Sequence, residues 1–250
     1  MNGHAPGFAA SRVARRCSDD RFFVGFALVI LTIVAVGFAP TYFLAGVFRA
    51  KLPSAIIHVH AVIFTSWILL FVFQIALVSS HRTKLHRQFG VFGGLLAAGV
   101  VVLGFLAATD SYARGFSPPH SGIPPSTFYA IPMFEIGTFA TLVCAGFSTR
   151  KNGPAHKRLM LIATIELLGP AIGRWPIGLL HTIPPLISGV ILLLLLVMAA
   201  YDYWTLHKIH GATALGGGFV ILSQTLAFPV GHSIPWRLFA ASILRLWAGR

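Results

Sequence analysis

The chain has 250 residues, of which 56% are hydrophobic and 10% charged, with a mean hydropathy of +0.80 and a formal net charge of +13. Because so few polar side chains cannot cover the apolar surface of a fold of this length in water, the composition predicts an integral membrane protein. The basic residues stand at the ends of apolar runs rather than along one face, which argues against nucleic-acid binding.

Apolar windows long enough to cross a bilayer, roughly 18 to 25 residues, predict seven transmembrane helices. These spans cover residues 22–44, 54–79, 89–109, 127–148, 157–175, 183–204 and 211–230. Residues 1–21 are predicted as a cytoplasmic tail and 22–230 as the transmembrane domain. Residues 231–250 contain "IPWRLFAASILRLW", which is too short to span and is typical of a helix lying in the membrane interface. The expected fold class is an all-α, polytopic helix bundle.

Lysine and arginine are unevenly divided between the two sides of the predicted membrane. Twelve of the 19 fall on the side of the N-terminus and of the loops after the second, fourth and sixth helices, and seven fall on the other side. Because basic segments tend to remain in the cytoplasm, this distribution predicts a cytoplasmic N-terminus in the bacterial inner membrane. The first apolar run is too long for a signal-peptide core and is predicted to be retained as a span.

Histidines open three of the predicted helices. The segments "LHRQFGVFGGLL", "AHKRLMLIATIE" and "IHGATALGGGFV" place His86, His156 and His210 just after basic turns. Helical hairpins would bring these three side chains to one depth on the cytoplasmic side. A second histidine layer is expected on the other side, from His58, His60, His120 and His181.

Several short segments carry a resemblance that extends over nearly the whole chain. The stretches "GFAPTYFL", "HVHAVIFTSWILLFVFQIALV", "LHRQFG", "HKRLM" and "GRWP" resemble an uncharacterised family of bacterial multi-pass membrane proteins. The "HKRLM" segment is similar to one in a small membrane family implicated in cytochrome oxidase assembly, and the "HR…G" segment is similar to haem A synthase and b-type cytochromes. The resemblance implies haem handling, in electron transfer or in haem and cytochrome oxidase maturation, with a respiratory-chain or cytochrome partner.

Histidine suits such a cofactor because neutral imidazole binds haem iron axially. Arg87 and Arg158 stand beside two of the histidines, where haem propionates would need cations. His58 and His60 are separated by about 200° on a helix, so only one can face the bundle, and we expect His60 to do so. The predicted haem b ligands are His60, His86, His156 and His210.

Two other interpretations remain open for the same residues. In the first, a zinc ion activates water in a seven-helix membrane hydrolase. That interpretation takes His86, His156, His210 and Asp202 as the metal ligands. In the second, the histidines anchor a structural or accessory subunit at the interface without a cofactor, and Asp202 is a polar cap paired with Lys208. A transporter is less favoured, because matched breaks in two helices are not evident, although Pro170 and Pro176 interrupt the fifth helix.

Two glutamates fall inside predicted spans. Glu166 lies ten residues after His156, roughly 15 Å deeper along a helix, and Glu135 reaches a similar depth on the preceding helix. A facing pair there could share one proton, as a relay, or bind a cation. The alternative is a neutral glutamic acid hydrogen-bonded to a carbonyl that Pro132 or Pro170 frees from the helix.

Overall fold

A computed structural model describes residues 6–48, 54–118, 121–183 and 185–249, without the side chains of residues 6–18, 181 and 182. The regular structure over these ranges is helical, with no strand. The helices are α1 (Pro6–Phe38), α2 (Ala45–Phe48), α3 (Ala55–Ser79), α4 (Thr83–Ala113), α5 (Pro125–Ser148), α6 (Gly153–Glu166), α7 (Gly169–Ile172), α8 (Gly178–Thr182), α9 (Pro185–Leu206), α10 (Gly211–His232) and α11 (Ile234–Ala248). His120 lies outside the described residues, as does the side chain of His181.

Six segments among the described residues are long and apolar enough to cross a membrane. They are Asp19–Phe43, α3, α4, α5, α9 and α10. Large apolar side chains stand exposed on these helices, including Val62, Leu69, Val91, Leu95, Leu193 and Leu215. Such an outer surface needs a lipid bilayer around it, because apolar groups at this density are not stable against water. The predicted all-α, polytopic bundle is therefore confirmed.

The fifth predicted span, residues 157–175, is wrong as a continuous helix. It is divided into α6, the four-residue α7 and, after a turn, the short α8. Pro170 is the physical reason, because proline lacks an N–H and its ring collides with the carbonyl four residues earlier. That carbonyl belongs to Glu166, the residue at which α6 ends.

The first helix also differs from its predicted span, 22–44. It begins at Pro6, so the predicted N-terminal tail is helical from that residue. At its other end it passes into a π-helical turn, Ala39–Phe43, with Pro40 in the first turn. The remaining predicted spans agree with α3, α4, α5, α9 and α10, although α4 is longer than its span at both ends.

The broken segment lies at the centre of the bundle. Residues 161–166 are buried, and α5, α9 and α10 pack around α6 while α1 and α9 contact α7. Non-helical backbone within the hydrocarbon region of a membrane is tolerated where protein surrounds it. We name the end of the bundle at which α4, α6 and α10 begin the basic end, and the other the opposite end.

Candidate functional site

His86 and His156 meet at the basic end. Both lie in the first turns of their helices, α4 and α6, and their ring centroids are 6.2 Å apart with an interplanar angle of 80°. We call these two residues the histidine pair. His156 Nδ1 lies 2.8 Å from the carbonyl oxygen of Gly146 on α5. Because a carbonyl only accepts, Nδ1 carries the hydrogen, and Nε2 of the neutral ring keeps its lone pair.

His86 contributes a second nitrogen without a partner. Its Nδ1 is buried and has no partner of hydrogen-bond geometry within the described residues, although the backbone of Gln74 on α3 lies close enough to the ring to interact with it. The Gln74 Oε1 is likewise buried and unpaired among those residues. Buried polar atoms without partners are uncommon, and a bound ion or cofactor is one explanation for them. Arg87, which follows His86, is exposed.

Arg158 and Asp202 form a separate buried ion pair between α6 and α9. Arg158 Nε lies 2.9 Å from Asp202 Oδ1 and 3.2 Å from Oδ2, while Nη2 also donates to Oδ1. Arg158 Nη1 donates to the Pro154 carbonyl at 2.9 Å. The exposed fractions of the two residues are 2% and 0%. The Arg158 guanidinium is therefore committed to protein groups, and this structure does not leave it free for a haem propionate.

The remaining contacts of Asp202 come from α10 and the turn before it. Thr213 Oγ1 and the backbone N–H of His210 both donate to Asp202 Oδ2, the latter at 3.2 Å. Both carboxylate oxygens thus accept hydrogen bonds. The pairing of Asp202 with Lys208 is wrong, because Arg158 takes that place, and Asp202 is buried rather than an exposed interfacial cap.

His210 caps α10 and does not join the histidine pair. Its Nδ1 accepts a hydrogen bond from the Ala212 backbone N–H at 3.0 Å. Over the ranges that the structure describes, no three His, Cys, Asp or Glu side chains are grouped so that they could hold a metal. The set predicted for zinc is accordingly split, with His86 and His156 in one place and His210 and Asp202 in another.

His58 and His60 lie near the start of α3, at the opposite end, so His60 is remote from the histidine pair in the fold. His58 Nδ1 is 2.9 Å from the Tyr42 hydroxyl of the π-helical turn. The His60 ring stacks on Phe64 with centroids 4.0 Å apart, and its Nδ1 is buried without a partner in the described part of the chain. The two side chains thus point to different neighbours.

Glu135 and Glu166 approach each other where α6 and α7 are separated. Glu166 is fully buried, and its Oε2 accepts a hydrogen bond from Gln224 Nε2 on α10 at 3.0 Å. Its Oε1 is buried without a partner among the described residues. Glu135 Oε1 lies 2.7 Å from the position that a Cβ atom would take on Gly169. The two carboxyl groups are close enough that the negative charges of the ionised forms would repel each other. We call them the carboxyl pair.

No protein-family model, curated protein or solved structure matches the chain. Its fold and exposed surface make it a multi-pass membrane protein. The bundle contains two candidate functional sites, the histidine pair at the basic end and the carboxyl pair at the break, and their functions have to be inferred from their side-chain chemistry. Gln74, Gln224 and Gly169 belong to these sites, and sequence reasoning had missed the contribution of Gly169.

Proposed function

We propose that this membrane protein binds haem b between His86 and His156, and acts in electron transfer or in haem and cytochrome oxidase maturation in the bacterial inner membrane. The observation that carries the proposal is the proximity of the two imidazole rings, whose centroids are 6.2 Å apart. A bis-histidine haem would need two imidazoles at one depth on neighbouring helices, and His86 on α4 and His156 on α6 would supply one ring nitrogen each.

The surroundings of the pair support the same assignment. A metal-binding histidine usually donates its other ring N–H to a carbonyl or carboxylate, which fixes the ring and the tautomer. The hydrogen bond from His156 to the Gly146 carbonyl does this in the free protein. Arg87 is the exposed cation next to His86 that a propionate could reach. When bound, haem iron supplies one-electron chemistry and the axial imidazoles tune its potential.

The test is a reduced-minus-oxidised absorption spectrum of the chain purified in mild detergent, with metal analysis on the same sample. We expect b-type bands, and their loss in His86→Ala and in His156→Ala while both variants stay in the membrane. His207→Ala is the matched control, since His207 is an exposed histidine at the same end. Pigment that survives both substitutions, or a colourless wild-type protein, would contradict the proposal. Stoichiometric zinc that is lost in Asp202→Ala would favour the hydrolase. A wild-type protein with neither metal nor pigment would favour the accessory subunit.

A further inference from the structure

We propose that the carboxyl pair and Gln224 form an intramembrane proton-binding site at the break between α6 and α7. This site is independent of the histidine pair. Glu135 is on α5, Glu166 ends α6 and Gln224 is on α10, so three helices contribute to it. Its ligand is a proton, held by Glu135 and Glu166 in preference to a metal cation.

The first argument is the lack of a counter-charge. Within the described residues, neither carboxyl forms an ion pair, whereas the buried carboxylate of Asp202 is paired with Arg158. An isolated carboxylate in a medium of low dielectric constant costs far more than a protonated carboxylic acid. Two carboxylates close together add their mutual repulsion to that cost. A proton on the pair removes both penalties.

Several charged groups on the surrounding helices are paired near the two ends of the bundle. Lys157 contacts Asp19, Arg158 binds Asp202, and Arg114 binds Asp110. Arg174, which follows α7, donates to the Pro170 carbonyl and lies over the Phe38 ring. The other titratable groups with described side chains on these helices lie toward the ends of the bundle. At the basic end they are Asp20, Arg21, Lys84, His86, Arg87, Cys144, His156, Tyr201, Tyr203 and His210, and at the opposite end Tyr42, His58, His60, Tyr112, Tyr129 and His232.

The second argument is the arrangement of donors and acceptors. Gln224 Nε2 already occupies Glu166 Oε2, so Oε1 is the oxygen left to carry a proton. A protonated Oε1 needs an acceptor, and the break supplies one. Pro170 has no N–H, so the backbone carbonyl of Glu166 lacks the donor it would have in a continuous helix. The second carboxyl of the pair is another acceptor.

The third argument is the position of the Glu135 carboxyl against the backbone of Gly169. Any side chain at position 169 would bring its Cβ to 2.7 Å from Glu135 Oε1, a distance that real Cβ atoms do not adopt. Gly169 therefore lets the Glu135 carboxyl lie on the backbone at the break. Thr138, one turn further along α5, donates to Ser223 at 2.6 Å and joins α5 to α10 beside Gln224. The side chains of the site therefore come from helices that pack against one another.

Infrared spectroscopy tests the proposal directly, because the chain has only two glutamates. A protonated carboxylic acid has a C=O stretching band well separated from that of carboxylate. At neutral pH we expect such a band in the purified wild-type protein, and its loss or marked reduction in Glu166→Gln or Glu135→Gln. Glutamine matches the shape of the protonated acid, so these variants should fold. Asp110→Asn, which removes a carboxylate paired with Arg114, is the control and should leave the band unchanged.

The same spectra contain the outcomes that would overturn the site. A neutral-pH spectrum without the band means that both glutamates are ionised. A band that survives both glutamine substitutions belongs elsewhere. Carboxylate bands that shift on addition of sodium or calcium ions assign the pair to a cation instead. Should the variants fail to fold, the wild type decides alone, since a bound proton must shift the band in D2O and be lost at sufficiently alkaline pH. The haem spectrum should not change in either glutamine variant, which separates this proposal from the previous one.

Discussion

Gly37 on α1 lies directly against the backbone carbonyl of Ala171 on α7. A Cβ atom on Gly37 would overlap that carbonyl oxygen, and the obstacle is backbone rather than a flexible side chain. Small residues permit such close contact between helices in membranes, where packing replaces the hydrophobic driving force. The contact ties the first helix to the short helix that follows the break.

Replacing Gly37 by alanine should therefore destabilise the protein. We expect a loss of about 1–3 kcal/mol, the usual cost of overpacking a core, because α1 and α7 must move apart. The measurement is the thermal unfolding midpoint in detergent. Gly25→Ala on the same helix is the control, since nothing lies within 4 Å of its added Cβ, and it should leave the midpoint unchanged or slightly raised. Equal midpoints for the two variants would contradict the close contact.

The buried ion pair predicts a large effect from removing one charge. Asp202→Asn leaves the Arg158 guanidinium buried without a counter-charge, which should cost roughly 3–5 kcal/mol in unfolding free energy. Asp110→Asn breaks a partly exposed pair with Arg114 and should cost at most about 1 kcal/mol. Unfolding in denaturant, compared between the two variants, measures the difference. Similar losses would mean that Arg158 finds another partner or water.

His210 predicts a pH dependence of stability. Burial lowers its pKa from the ordinary value of 6.5, and the positive charge of Arg158 lowers it further, while Asp202 raises it and Lys157 and Lys208 lower it. The unfolded chain thus binds the proton more readily, so this contribution to stability is present above about pH 6.5 and is lost as the pH falls below it. Protonation of Nδ1 also removes the acceptor of the Ala212 N–H.

The matching variant is His210→Asn, which retains a good helix N-cap without a titrating ring. Unfolding midpoints at about pH 8 and about pH 5 should differ less in this variant than in the wild type. His232→Asn, an exposed histidine at the opposite end, should retain the wild-type difference. If the difference between the two midpoints were the same in all three proteins, His210 would not contribute to the pH dependence.

Gly169→Ala should displace the Glu135 carboxyl from the break. The added methyl group would lie 2.7 Å from Glu135 Oε1, so the infrared band of the protonated carboxyl pair should shift or weaken. Gly137→Ala is the control on α5 itself, because open space surrounds its added Cβ. The comparison requires only that both variants elute as single species from a sizing column. An unchanged band in Gly169→Ala would place Glu135 away from this glycine.

The long helices could be predicted from the sequence because a backbone in lipid has to satisfy its own hydrogen bonds. The predicted span 127–148 agrees with α5 and 211–230 with α10, each to within two residues at either end. Pro170 predicts an interruption of the fifth span, but the predicted span 157–175 runs through it, so the end of α6 at Glu166 was not predicted. Leu167 and Leu168 continue the apolar run, so the hydropathy of the segment is that of a continuous span. Hydropathy does not reflect the clash between the Pro170 ring and the carbonyl four residues earlier.

The partners of the polar side chains were harder to predict. Helical hairpins correctly placed His86 and His156 at the same end, because short turns make neighbouring helices antiparallel. Arg158 and Asp202 are separated by 44 positions, and their pairing depends on α6 contacting α9, which periodicity does not specify. His210 illustrates the same difficulty, since its ring caps its own helix rather than facing the other histidines.

The pair formed by Arg158 and Asp202 also imposes an order on biogenesis. Arg158 emerges from the ribosome well before its partner, on a helix of 14 residues that is too short to cross the hydrocarbon layer. An unpaired cation on such a segment is costly in lipid. We therefore expect the segment from α6 to α8 to reach its place in the bundle only after α9 has been synthesised. In a chain truncated before Asp202, that segment should remain accessible to a water-soluble reagent.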